Sequence, residues 1–125
     1  TLTALLYGTS AGLFSVAILL VNNLRDIPTD RASGKLTLPA RLGEAGTRQL
    51  FLGVTAGALL IHLLAAWPQP WLMLIPVLLC LKPVLNLIRS IHHLSGGELN
   101  TLLAQTAKAG LIYCGTSSVL LVLLS

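Results

Sequence analysis

Apolar runs alternate with polar connections along the chain in a pattern that predicts four membrane-spanning helices. The apolar runs cover residues 2–21, 50–67, 71–88 and 102–124. Each reaches or approaches the roughly 20 residues that a helix needs to cross a bilayer. The fourth run is the weakest, because Gln105 and Lys108 interrupt its first part. We therefore expect an all-α integral membrane protein, with residues 1–125 forming a single membrane domain.

The composition supports a membrane environment and argues against nucleic acid as a partner. Hydrophobic residues make up 54% of the chain and charged residues 10%, whereas a soluble domain usually has about 25% charged residues. The formal net charge is +4, but the basic residues are not interleaved with aromatic ones as in a nucleic-acid-binding surface. The lipid bilayer is therefore the expected surrounding, and the charge is better explained by topology and by a local anion site.

Almost all of the basic residues lie on one side of the predicted membrane. The second connection, residues 68–70, and the C-terminal residues contain no Lys or Arg, and the third connection contains Arg89. Cytoplasmic connections of membrane proteins are enriched in Lys and Arg. We expect the first and third connections to face the cytoplasm and the C-terminus to lie outside. The first connection, residues 22–49, contains Arg25, Arg31, Lys35, Arg41 and Arg48.

Two carboxylates stand four residues apart in the first connection. Helical spacing would place Asp26 and Asp30 on one face, where two like charges resist joint ionisation unless a cation joins them. Mg²⁺ typically takes one or two protein carboxylates together with substrate phosphates, and the neighbouring basic residues can bind phosphate oxygens. Pro28 removes a helical hydrogen-bond donor. It leaves two possibilities open: a kinked first helix or a second short helix that begins near Pro28.

A solvated loop of mixed charge would also explain this connection. The position of the acids favours a site instead, because they follow an apolar helix closely and uncompensated charge is costly near the bilayer. Asn22 and Asn23 lie closer still to the membrane and can orient or supplement the carboxylates. A transporter would require many polar residues along the spans, yet there are few: His62, Lys82, Asn86, Gln105 and Lys108. His62, alone in its span, is expected to make a helix contact rather than to bind a metal.

Residues 22–43 resemble a known motif. They read Asn-Asn-Leu-Arg-Asp-Ile-Pro-Thr-Asp-Arg-Ala-Ser-Gly-Lys-Leu-Thr-Leu-Pro-Ala-Arg-Leu-Gly, which resembles the second aspartate-rich motif of the UbiA superfamily of intramembrane prenyltransferases. We refer to these residues as the aspartate motif. Within the superfamily, the Asn-Asn pair and the Gly-Lys-x-Thr run are similar to the branch that acts on 1,4-dihydroxy-2-naphthoate in menaquinone biosynthesis. Lys82-Pro83 and Thr106-Ala107-Lys108 are similar to features of the eighth and ninth helices of that family.

The resemblance implies a position in a larger fold. The four spans would correspond to the last four of nine helices, with the aspartate motif as a cytoplasmic cap. The family also needs a first aspartate-rich motif, which this chain does not contain. We therefore expect the chain to be a C-terminal portion that needs the N-terminal helices of the same enzyme and is inactive alone.

The resemblance also implies a reaction and its participants. A polyprenyl group would pass from polyprenyl diphosphate to 1,4-dihydroxy-2-naphthoate with decarboxylation, giving demethylmenaquinol at the plasma membrane. Asp26 and Asp30 would hold the Mg²⁺ cofactor, and no protein nucleophile is expected. The predicted diphosphate-binding residues are Asn22, Asn23, Arg25, Lys35 and Lys82.

Two alternatives stay open at this stage. Another UbiA-type aromatic prenyltransferase would share the metal site but use a homogentisate or chlorophyll-type acceptor, and a four-span transporter fragment would not be an enzyme. The sequence leaves the prenyl chain length and saturation and the oligomeric state undetermined. It also assigns no role to Arg41, His92, His93 and Lys108.

Overall fold

The computed structural model describes residues 1–67 and 71–124, and these residues form helices and turns without any strand. The predicted outer connection, residues 68–70, lies outside the described residues. Short 3₁₀ turns at Trp71–Leu74 and Gly96–Glu98 precede the last two helices. The five α-helices are α1 (Leu2–Arg25), α2 (Ile27–Ala32), α3 (Leu38–Ala66), α4 (Ile75–Ser90) and α5 (Leu99–Leu123).

Four helical segments are long and apolar enough to cross a membrane, which confirms the predicted number of spans. Their ends differ from the apolar runs, because α1 continues to Arg25 and α3 already begins at Leu38. Much of the connection expected over residues 22–49 is therefore helical. Capping explains the early start of α3, since Thr37 Oγ1 accepts a hydrogen bond from the Ala40 amide at 3.3 Å. Such a side-chain cap starts a helix whatever the hydropathy of the residues that follow.

Pro28 starts a new helix rather than kinking α1. Asp26 separates α1 from α2 with φ −91° and ψ 1°, and Pro28 lies in the first turn of α2. At that position the missing amide proton costs nothing, because the first turn has no intrahelical acceptor for it. The second of the two possibilities raised by the sequence is therefore the observed one.

A glycine divides α3 into two parts. Gly43 has φ 74° and ψ 178°, in the middle of an otherwise helical run. Residues with a Cβ rarely adopt this φ. A kink thereby separates a short first segment, residues 38–42, from the long apolar part of the helix.

The core lies where α1 packs on α3 and α5, and α5 packs on α4. Its largest fully buried side chains include Phe14, Phe51 and Tyr113. Gly110 of α5 faces Phe14 of α1, and a Cβ there would make an ordinary van der Waals contact with Phe14 Cβ at 3.5 Å. Ser10 Oγ donates to the Ala58 carbonyl at 2.6 Å and joins α1 to α3. Small residues and interhelical hydrogen bonds of this kind hold membrane helices together.

Buried polar side chains near the end of α3 form what we call the His62 cluster. His62 Nδ1 lies 2.7 Å from the Tyr113 hydroxyl and His62 Nε2 lies 2.7 Å from the Met73 carbonyl. The Tyr7 ring packs edge-on against His62, with ring centroids 4.9 Å apart. The prediction that His62 makes helix contacts is confirmed.

Candidate functional site

Arg25 organises the first half of the aspartate motif. Its guanidinium forms a two-pronged ion pair with Asp26, with Nε 2.7 Å from Oδ1 and Nη2 3.0 Å from Oδ2. Nη2 also donates to Asn22 Oδ1 at 3.0 Å, and Nη1 donates to Asn100 Oδ1 at 2.7 Å at the start of α5. The hydrogen bonds from Arg25 hold the pKa of the Asp26 carboxyl below its ordinary value. Asp26 is therefore ionised at neutral pH.

Asp30 lies in α2 and is far more buried, with 7% of its surface exposed. Thr37 Oγ1 donates to Asp30 Oδ2 at 3.2 Å. Lys35 Nζ lies 3.6 Å from Asp30 Oδ1 while two thirds of its own side chain (66%) is exposed. The backbone also closes around this residue, since the Lys35 amide donates to the Asp30 carbonyl at 2.8 Å. Lys35 is thus an exposed cation beside a buried carboxylate.

Three other basic residues of the first connection hold the backbone. Arg31 Nε donates to the Ala40 carbonyl at 2.9 Å, and Arg41 Nε donates to the Leu36 carbonyl at 3.3 Å. Arg48 donates to the carbonyls of Ile91 and Leu94 just after α4 and pairs with Glu44. These arginines shape the connection, and the predicted ligand-binding role stays with Arg25 and Lys35.

The remaining predicted residues fall into two places. Asn22 and Asn23 lie in the last turn of α1, where Asn22 contacts Arg25 and Asn23 is half-buried. Lys82 lies apart from the aspartate motif, in a pocket of about 260 Å³ between α4 and α5. We refer to it as the α4–α5 pocket; it is lined by Lys82, Pro83, Asn86, Gln105 and Lys108.

The chemistry of the motif fits a hard divalent cation. The Asp30 amide donates to the Asp26 carbonyl at 2.8 Å, so the two residues lie one helical turn apart. Carboxylate and amide oxygens are the ligands that Mg²⁺ prefers, and Mg²⁺ completes its shell with waters and substrate phosphates. No group of three or more His, Cys, Asp or Glu side chains forms a metal site in residues 1–67 and 71–124. The two acids and the neighbouring amides can therefore supply part of a magnesium site, with phosphate oxygens as further ligands.

Comparison with known proteins places this architecture in a family. The model described as the UbiA prenyltransferase family matches residues 1–123. The chain belongs to the UbiA prenyltransferase family. The resemblance carried by the aspartate motif is thus confirmed at the level of the family, and a transporter loses its support as an explanation for the four spans.

Three curated relatives share the name 1,4-dihydroxy-2-naphthoate octaprenyltransferase. The protein from Mycobacterium tuberculosis (strain ATCC 25618 / H37Rv) is 44% identical over 62 residues, which cover 50% of this chain and 21% of the relative. The protein from Mycobacterium leprae (strain TN) is 44% identical over 85 residues, which cover 64% of this chain and 29% of the relative. The protein from Escherichia coli (strain K12) is 33% identical over 115 residues, which cover 86% of this chain and 36% of the relative. The matches therefore span at most 36% of these relatives' lengths, and no solved structure matches the chain.

Within this UbiA family member, sequence reasoning missed two partners of the candidate site. Asn100 binds Arg25 although 75 positions separate them, and no local pattern signals such a contact. Thr37, which donates to Asp30, lies inside the Gly-Lys-x-Thr run that carried the family resemblance. The position of Thr37 in that run was the sequence signal that could have identified it as part of the site.

Proposed function

We propose that the protein transfers a polyprenyl group from polyprenyl diphosphate to 1,4-dihydroxy-2-naphthoate with decarboxylation, giving demethylmenaquinol. The observation that carries the proposal is the Asp26–Asp30 pair where α1 ends and α2 begins, with its basic neighbours, in a chain of the UbiA family. The shared name of the three curated relatives supports the naphthoate acceptor.

In this proposal, Asp26 and Asp30 hold Mg²⁺, and Asn22 and Asn23 supplement them. Bound Mg²⁺ supplies Lewis-acid stabilisation to the departing diphosphate. Asp30 is suited to a fixed ligand because Thr37 orients one carboxylate oxygen. A ligand held by a neighbouring hydrogen bond keeps its geometry when the substrate arrives.

Arg25 and Lys35 contact the diphosphate. Lys35 is exposed enough to turn from Asp30 toward a phosphate oxygen. The planar fork of Arg25 is held by Asp26, and it would turn to the diphosphate when Asp26 binds the metal, because the fork matches a phosphate as well as a carboxylate. The bond to Asn100 keeps the guanidinium at the junction of α1 and α5. Lys82 lies in the α4–α5 pocket and is the proposed contact to an anionic substrate there.

No protein nucleophile is needed, because the electron-rich ring of the acceptor attacks the prenyl carbon from which diphosphate leaves. The protein's task is to hold the two substrates together and to exclude water from the developing cation. The apolar spans that follow and precede the motif suit this task.

We further propose that the four spans form one domain of a multi-pass plasma-membrane protein. The aspartate motif faces the cytoplasm, and the C-terminus of the chain lies outside. The charge distribution supports this orientation: the basic residues cluster in the first and third connections. Water-soluble substrates would then reach the motif from the cytoplasm.

The test is prenyl transfer in membranes that contain the protein expressed from its complete gene. We expect product only with Mg²⁺, and a loss of at least about 100-fold in Asp26→Asn and in Asp30→Asn, because each substitution removes an anionic metal ligand. Glu44→Gln is the matched control, since Glu44 is an exposed acid of the same connection that pairs with Arg48. Full activity in both aspartate variants would refute the proposed site.

The acceptor is tested in the same membranes. Homogentisate and a chlorophyll-type precursor are offered in place of 1,4-dihydroxy-2-naphthoate. Product with either of these and none with the naphthoate would move the protein to another branch of the family. Product with the naphthoate alone would support the proposal.

A further inference from the structure

The α4–α5 pocket places four polar side chains on one face of two apolar helices. Lys82 and Asn86 are four residues apart on α4, and Gln105 and Lys108 are three residues apart on α5. Both spacings put the side chains on the same face of their helix. All four side chains are exposed in the described part of the chain, and they line one pocket of about 260 Å³.

The two lysines of this pocket have no carboxylate partner in the described residues. The ion pairs there involve Arg25, Lys35 and Arg48. The acidic residues of the chain all lie in or beside the first and third connections: Asp26, Asp30, Glu44 and Glu98. Two cations within apolar spans are costly when they face lipid, so such residues face a cavity or a counter-ion. The pocket therefore has the chemistry of an anion site.

The α4–α5 pocket lies further along α5 than the point at which this helix contacts the aspartate motif. Asn100 contacts Arg25 at the start of α5, and Lys108 follows about 12 Å further along the same helix. No residue of the aspartate motif lines the pocket. An anion held here would thus be a different group from the diphosphate held by the motif, and it would replace diphosphate as the ligand that the sequence predicted for Lys82.

We propose that Lys82 and Lys108 bind the carboxylate of the aromatic acceptor, and that Asn86 and Gln105 bind its ring hydroxyls. This inference rests on the proposed function, and it assigns the acceptor, the second substrate, to the α4–α5 pocket. Asn86 is nearer than Lys82 to the end of α4, and Gln105 is nearer than Lys108 to the start of α5, where Asn100 contacts Arg25. An aromatic acid anchored by its carboxylate at the two ammonium groups would therefore extend its ring toward the motif. Amide side chains both donate and accept hydrogen bonds, which matches phenolic hydroxyls better than phosphate oxygens.

Equilibrium binding tests the assignment without requiring turnover. The probe is 1-hydroxy-2-naphthoate, followed by its own fluorescence, with the protein expressed from its complete gene and purified in detergent. We expect the Kd to rise about tenfold or more in Lys82→Gln and in Lys108→Gln, because each variant loses a charged hydrogen bond. The neutral 1-hydroxy-2-naphthamide should bind more weakly and equally to all variants.

Two controls separate this effect from damage to the protein. Arg89→Gln removes one positive charge from the same helix but outside the pocket, and we expect it to leave the Kd unchanged. Neither lysine has an ion-pair partner within the described residues, so we expect both lysine variants to unfold at the wild-type temperature, and weaker binding with unchanged unfolding is not a sign of misfolding. Lys108→Arg, which keeps the charge, should retain most of the affinity.

Titration with geranyl diphosphate shows whether the pocket binds the diphosphate of the prenyl substrate instead of the carboxylate of the acceptor. If its Kd rises in the lysine variants while that of the naphthoate does not, the pocket binds diphosphate and the proposal is wrong. Unchanged affinity for both ligands also refutes it, because the lysines then pair with an acid or a lipid headgroup. Failure of the proposed function has a different signature: no magnesium-dependent product from the wild-type protein, whatever the lysine variants bind.

Discussion

The His62 cluster and the α4–α5 pocket both place polar side chains in apolar helices, but they differ in whether those side chains have partners within the protein. In the His62 cluster, both imidazole nitrogens have a partner within 2.7 Å, supplied by Tyr113 and Met73. In the α4–α5 pocket, Lys82 and Lys108 have no ion-pair partner among the described residues. The imidazole is satisfied by the protein itself, whereas the two ammonium groups have no partner within the described residues.

This difference separates a structural role from a binding role. A buried polar group that is fully hydrogen-bonded rigidifies the bundle, and removing one member leaves the others unsatisfied. A charged group that the fold leaves without a partner must be satisfied by water or by a ligand. We therefore expect His62 substitutions to affect folding and lysine substitutions to affect binding.

The largest expected effect on stability is that of His62→Ala. The substitution opens a cavity and leaves the Tyr113 hydroxyl and the Met73 carbonyl without their partner, and we expect a loss of about 2–4 kcal/mol. Thermal unfolding in detergent measures it, with Lys108→Gln as the control that should unfold like the wild type. A stable His62→Ala protein, or a destabilised Lys108→Gln protein, would break the comparison.

A smaller loss is expected from Ser10→Ala. The Ser10 hydroxyl makes one interhelical hydrogen bond, to the Ala58 carbonyl, and such bonds contribute about 0.6 kcal/mol on average in membrane bundles. The same unfolding assay applies, with Ser15→Ala as the control, because Ser15 lies on the exposed face of α1. A loss as large as that of His62→Ala would mean that Ser10 belongs to a wider network.

The smallest effect is expected from Tyr7→Phe. The Tyr7 hydroxyl is buried and has no hydrogen-bond partner in the described part of the protein, so its removal should change stability by less than about 0.5 kcal/mol or increase it slightly. The ring contact with His62 is preserved in phenylalanine. A clear loss of stability would show that a further part of the complete protein binds this hydroxyl.

Local patterns in the sequence predict the spans and the motif well, and distant contacts poorly. Residues 2–21 predict α1 because apolarity over one bilayer thickness is a local property, and Asp26 and Asp30 stand out for the same reason. The effect of Pro28 stayed ambiguous, since a proline fits both a kink and a first turn. The bond from Arg25 to Asn100 and the pairing of the α4 and α5 polar faces depend on packing between segments far apart in the chain.

The kink at Gly43 of α3 makes the geometry of the candidate site independent of the tilt of this helix in the bilayer. Transmembrane helices change their tilt with hydrocarbon thickness, and a straight helix carries that tilt along its whole length. At Gly43 the backbone leaves the helical conformation, while Arg31 holds the segment before it through the Ala40 carbonyl. The surroundings of Asp30 can therefore keep one geometry in membranes of different thickness.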